Sequence, residues 1–413
     1  MRTWLILGGV IVLLLAAFAG TLSADDLPRL YVVNSLSDDM TIIDPRAQTI
    51  TGVIPLGMCG YDIAVDGQTA YVTSAPMPEG KAAPGLLVID LAAQRLRDII
   101  PLALSPLATV HLRANGRQAV VVTAAPPGQR NDARGQVLFI DLPAKNVART
   151  VNVGLNPLAS AMTPDGTRLY TADWASHTLS VVDLTAGRLQ DTIPIGLPTA
   201  RVLAMRPDGK KLYTLLERLP VAAQAQQTFN MNAATTQANV REQVQTMGET
   251  PLWEIDTTSN AVTRHPFTGV SQALAAAVSP DNRRLYLYGR DDSAAPKTAE
   301  AGYALVSVEL ATMTLGKHYG DFGFLSALLV SGDGKKLYLV GTPGDPKVEA
   351  GARRNYNMRS EKLRPDSPQQ VAETMQDLSQ VRKTVTILDA DTGKVEKVLT
   401  VGSFPRGAAL RER

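Results

Sequence analysis

Seven times along this chain a short apolar segment ends in an acidic residue and a turn. The copies are Thr41-Ile42-Ile43-Asp44, Leu87-Val88-Ile89-Asp90, Leu138-Phe139-Ile140-Asp141, Ser180-Val181-Val182-Asp183, Trp253-Glu254-Ile255-Asp256, Val306-Ser307-Val308-Glu309 and Thr386-Ile387-Leu388-Asp389. A second element precedes most of them: Leu30-Tyr31, Ala70-Tyr71, Leu169-Tyr170, Leu212-Tyr213, Leu285-Tyr286 and Leu337-Tyr338, with Ala119-Val120 in the third copy. Self-similarity at a regular period means that each unit is too small to bury its own apolar face and must stack on its neighbours.

The units can be read strand by strand. Turns such as Thr163-Pro164-Asp165-Gly166, Arg206-Pro207-Asp208-Gly209 and Ser331-Gly332-Asp333-Gly334 separate strand a from the Leu-Tyr strand b. Strand c ends in the acid. Asp183-Leu184-Thr185-Ala186-Gly187 and Asp389-Ala390-Asp391-Thr392-Gly393 then lead into strand d, with Asp bonding its own turn and Gly taking positive φ. Four short strands per unit, seven times, predict an all-β, seven-bladed β-propeller over 27–413. The chain enters at strand b, near Leu30, and ends in a strand a, Phe404-Pro405-Arg406-Gly407-Ala408-Ala409-Leu410. Pairing 404–411 with 29–34 therefore closes the ring and removes the free sheet edges.

The strings Arg29-Leu30-Tyr31-Val32-Val33-Asn34 and Val181-Val182-Asp183-Leu184-Thr185-Ala186-Gly187 resemble the YVTN β-propeller repeat family. The resemblance covers nearly the whole chain beyond the N-terminal segment. It implies a propeller similar to the quinoprotein amine dehydrogenase β-chain-like and haem d1 domain-like propellers. It does not imply one function, because surface-layer proteins and lactonase-like proteins use similar repeats.

Arg2, the apolar run Trp4–Ala19 and the small residues up to Ala24 read as a secretory signal over 1–24. The alternative is a retained N-terminal membrane anchor, although the run is short of the ~20 residues of a comfortable span. No Cys follows it, which argues against a bacterial lipoprotein. The expected location is therefore exported: periplasmic, cell-surface or secreted.

Cys59 is the only cysteine, so there is no intrachain disulfide, haem-attachment motif or thiolate cluster. The four histidines, His111, His177, His265 and His318, have no metal-ligand spacing, and structural roles are their default. No nucleophile motif or phosphate-binding loop is present. No resident cofactor or metal is expected. A net charge of +2 with no basic run and aromatic platform gives no nucleic-acid footprint.

The long connections all fall between strands b and c: 74–86, 123–136, 217–251, 289–302 and 341–383. The a–b and c–d turns, on the opposite face, stay short. Elaboration of one face points to binding there; neutral loop drift is the bland alternative, although drift alone should also have lengthened the opposite face. Two insertions, 217–251 in blade 5 and 341–383 in blade 7, are expected to be partly helical. Ser367-Pro368-Gln369-Gln370 has the capping pattern, and Val371, Met375, Leu378 and Val381 follow at helical spacing. Phe229-Asn230-Met231 and Tyr356-Asn357-Met358 suggest that the two are related flaps.

The start of each strand a should line the channel mouth on this face. Comparing repeats puts Tyr61, Leu107, Leu158, Arg201, Leu274, Ser326 and Arg406 there, with Asp62 beside Tyr61. Tyr61, Asp62, Arg201 and Arg406 are the candidate ligand-binding residues, since two arginines can present forked donors to an anion. Pairing with neighbouring acids is their bland alternative. Arg353, Arg354, Tyr356 and Arg359 form a candidate partner-docking segment in the blade 7 insertion, and a solvated charge run is its bland alternative. The expected function is a non-catalytic binding or scaffold protein whose partner is a protein, a glycan or a small ligand. The alternative is an enzyme or enzyme subunit: a lactonase-like hydrolase, or the propeller of a dehydrogenase whose cofactor sits on another chain.

Overall fold

The computed structural model describes residues 27–74, 85–102, 108–113, 116–124, 134–195, 200–215, 250–291, 302–342 and 383–411. These form seven four-stranded antiparallel sheets, each in the order a-b-c-d. The fold is a seven-bladed β-propeller. The first blade is shared between the two ends of the sequence, as its offset predicted. Pro405–Arg411 supplies strand a to Arg29–Asn34, with Leu30 opposite Leu410, Tyr31 opposite Ala409 and Val33 opposite Gly407.

Burial follows the strand roles. Strands b and c are buried almost throughout: Leu30, Val32 and Val33 of blade 1 have no solvent exposure, nor do Leu86, Leu87 and Ile89 of blade 2. Strands d face outward and leave Ile50, Val53, Val147 and Val398 exposed. Hydrophobic clusters sit at the seams between neighbouring blades. Tyr31, Met40 and Ile54 of blade 1 pack on Ile63, Val72 and Leu87 of blade 2, for example. Each such side chain contributes ~1.5–3 kcal/mol on burial, so the ring is held by seam packing without disulfides.

The acid ending strand c is a turn-former, as expected. Asp183 Oδ1 accepts from the Thr185 and Ala186 amides, each at 2.8 Å, and Asp256 Oδ1 accepts from those of Thr258 and Ser259. The fifth residue of every c–d turn has positive φ: Gln48, Gln94, Lys145, Gly187, Asn260, Met313 and Gly393. That residue latches its blade to the preceding strand d. Asn260 Nδ2 donates to Asp191 at 2.9 Å, Gln48 Nε2 donates to Glu396 at 2.8 Å, and Lys145 pairs with Asp98. At the glycine turns the preceding strand reaches in instead: Arg149 donates to the carbonyls of Ala186 and Gly187, and Lys317 to that of Asp391.

Strand pairing runs further into all five expected insertions than the turn pattern implied, as Ser74 opposite Gly85 and Thr123 opposite Gln136 show in blades 2 and 3. Thr250 and Pro251 pair with Phe267 and Pro266, Gly341 pairs with Thr384, and Gly289 pairs with Ala304. The hairpin ladder continues as long as both strands find partners. The 1–24 segment, the expected helices and the segment carrying Arg353, Arg354, Tyr356 and Arg359 lie outside the described residues. Among the described residues no helix is long and apolar enough to cross a membrane.

Candidate functional site

The site is built on the face where strands b meet c and strands d meet a. Blades 1 and 4 keep short b–c turns there, 35–38 and 174–177, and fold them in the same way. Ser35 and Leu36 donate their amides to the carbonyls of Phe404 and Ser403; Trp174 and Ala175 do the same to Asn156 and Leu155. The Ser37 and Ser176 hydroxyls each accept an amide from the same segments, those of Ser403 and Leu155. Asp38 and His177 occupy the left-handed position, φ 52° and 57°, and each carbonyl takes the amide opening the next turn, from Leu56 and Ile195. Beneath each turn lies a strand-b polar residue. Asn34 donates to Asp39 and Thr41, and Asp173 accepts from Thr171, Thr178 and Ser180.

Blades 1 and 2 meet backbone to backbone at the channel. A Cβ on Gly407 would lie 2.6 Å from the Tyr61 carbonyl oxygen and 2.8 Å from Asp62 Cα, so only glycine fits. This contact brings Arg406 toward the Tyr61 side of blade 2. The Arg406 guanidinium stacks over the Phe404 ring at 4.3 Å, and both residues are half-buried. Cys59, buried, lies among Tyr61, Ser35, Asp38 and Arg406. Burial pushes its thiol pKa up, outweighing the hydrogen bonds from Tyr61 and Ser35, so it stays a thiol rather than a nucleophilic thiolate. Asp38 Oδ1 is buried without a hydrogen-bond partner, and burial followed by the charge of Asp39 raises its pKa.

The structure thus brings Tyr61 and Arg406 together around Cys59. Asp62 turns toward blade 3, where its Oδ2 accepts the Val110 amide at 2.9 Å, and burial pushes its pKa up to about 6. Arg201 is exposed on blade 5, three blades from blade 2. Leu107 lies outside the described residues. The register, with Thr109 opposite Val122, gives its ring position to Ala108.

Two features escaped sequence reasoning. Asp38 joins the site only because the blade 1 turn folds over blade 2. His111 sits across from the strand-b aromatic position, where blades 1, 2, 4, 5 and 6 carry Ala409, Ala64, Ala161, Ala204 and Ala277. Its Nε2 lies 2.7 Å from Ser160 Oγ of blade 4, and burial pushes its pKa down to about 4. That histidine in an alanine column was readable as a polar link between inner strands. Among the described residues no three His, Cys, Asp or Glu side chains are placed to hold a metal ion.

No family model matches this sequence, and no curated protein does. The chain is similar in fold to solved structures. One is hydrazine synthase of Kuenenia stuttgartiensis, at 18% identity and TM-score 0.55, covering 76% of this chain and 90% of that one. Another is a functionally unknown protein from Desulfotomaculum acetoxidans, at 13% identity and TM-score 0.60, covering 93% and 99%. At such identities the likeness is one of fold.

Proposed function

We propose that this chain is an exported, non-catalytic binding or scaffold protein of YVTN-repeat type that engages its partner with the b–c face. One observation carries the reading. The connections at 75–84, 125–133, 216–249, 292–301 and 343–382 all join strand b to strand c, while the a–b and c–d turns stay short. Selection for folding alone has no reason to lengthen one end of a ring. The duplicated turns of blades 1 and 4, on Asn34 and Asp173, support the repeat type. In the cluster of Ser35, Asp38, Tyr61 and Arg406, Asp38 Oδ1 is buried without a hydrogen-bond partner, which suits a polar group of a protein, glycan or small ligand.

The test places a photo-crosslinking residue at Ser37 or Ala175, on the b–c face, and at Ala92 or Lys335, on the opposite face, in cells making the full chain. Discrete adducts from the first pair only, recovered from the envelope or medium, are the expected result. Equal labelling of both faces, or a cytosolic chain, would overturn the proposal.

A further inference from the structure

A second site lies away from that face, in the seam between blades 2 and 3. Five blades carry a cation two residues before the strand-b tyrosine: Arg29, Arg168, Lys211, Arg284 and Lys336. Blades 2 and 3 have Thr69 and Gln118 there. In blade 4 the cation and the tyrosine close the seam to blade 5. Arg168 donates to the Thr257 carbonyl, and Tyr170 Oη lies 3.1 Å from Asn260 Oδ1 and 3.2 Å from the Thr257 oxygen. Arg284 reaches Asp391 of blade 7 at 2.7 Å. Blade 3, lacking the cation, substitutes Arg113 and Arg149, which donate to the Leu184 and Ala186 carbonyls of blade 4.

The blade 2–3 seam has neither device. Thr69 is too short to cross it. Lys145, in the place of Asn260, pairs with Asp98 and offers no acceptor to the tyrosine. The Tyr71 hydroxyl has no hydrogen-bond partner among the described residues. What remains is a cavity of about 520 Å³ floored by Val88, Ile100 and Leu142, with Tyr71 and the exposed Arg97 at its edge. That volume lies within the ~300–1,000 Å³ of small-molecule sites.

We propose that this cavity binds a small organic carboxylate with an apolar body. Among the lining residues the Lys145–Asp98 pair cancels its own charge, which leaves Arg97 as one net positive charge, while the Asp66 carboxylate acts on Tyr71 from outside the lining. One guanidinium fork matches a carboxylate, Tyr71 supplies a further donor, and the aliphatic floor takes an aromatic or branched body. This site is independent of the proposed b–c face.

The test titrates the full chain with 4-fluorophenylacetate, followed by fluorine NMR, beside the neutral 4-fluorophenylacetamide. Saturable binding of the acid, much weaker binding of the amide, and at least about fivefold weaker binding by Arg97→Gln and Tyr71→Phe are expected. The double variant Thr69→Arg/Lys145→Asn, which imitates the blade 4–5 seam, should lose binding. Melting curves confirm that each variant is folded, and the two single variants decide the matter if the double variant is not. No saturation at millimolar acid, equal binding of acid and amide, or binding unchanged in both single variants would overturn the proposal.

Discussion

Asp62 Oδ2 accepts the backbone amide of Val110 at 2.9 Å, tying the innermost strands of blades 2 and 3. One blade further on, His111 Nε2 meets Ser160 Oγ at 2.7 Å. The channel wall of blades 2 to 4 therefore carries two half-buried titratable groups that desolvation shifts in opposite directions.

Their pH dependences should oppose each other. The Asp62 pKa is raised to about 6, so its contribution to stability is complete below 3.8 and is lost as pH rises through about 6. The His111 pKa is lowered to about 4, so its contribution is complete above 6.5 and is lost as pH falls toward 4. Each is worth on the order of 3 kcal/mol. In urea unfolding between these limits, Asp62→Asn should gain stability relative to wild type as pH rises, and His111→Gln as pH falls. Flat difference curves, or curves of the same sign, contradict the burial described for both residues.

Asp173 accepts three hydroxyl hydrogen bonds beneath the blade 4 turn. Asp173→Ala strands those donors and should cost about 3 kcal/mol. Asp173→Asn should cost about 1 kcal/mol, because Asn34 serves the same position in blade 1. Urea midpoints measure both, and an alanine variant as stable as wild type would refute the role.

Gly407→Ala places a Cβ against the backbone of blade 2, 2.6 Å from the Tyr61 oxygen. Neither backbone atom it meets can swing away. Overpacking of about 1–3 kcal/mol is expected, read as a lower melting temperature, and a neutral substitution would mean that blades 1 and 2 do not meet so closely.

Seven blades are legible in the sequence because each strand c couples an apolar run to a turn-forming acid, both local signals. Closure is legible because the repeat starts at b and ends at a. The latches are less so. Gly187, Gly393 and Asn260 announce positive φ, whereas Lys145 and Met313 adopt it without a local cue, held by the neighbouring blade. Tyr61 and Arg406 were found by comparing repeats, but Asp38 needed the fold. The seam cavity is written as a missing cation at Thr69, which comparison with blades 4 and 6 makes visible.

The latch itself is testable at Asn260. Asn260→Gly keeps the left-handed backbone and loses the bonds to Asp191 and Tyr170. Asn260→Ala loses those bonds and adds strain of about 1–2 kcal/mol. Alanine should therefore be the less stable in chemical denaturation. The reverse order would show that the left-handed backbone at this position is misassigned.

Ring closure is the premise on which both faces depend, and amide hydrogen exchange of the intact chain tests it most directly. Strand 405–411 should exchange as slowly as its partner 29–34, opening only with the whole ring. Exchange of 405–411 at the rate of a frayed terminus, with the other blades still protected, would contradict a propeller closed by that strand.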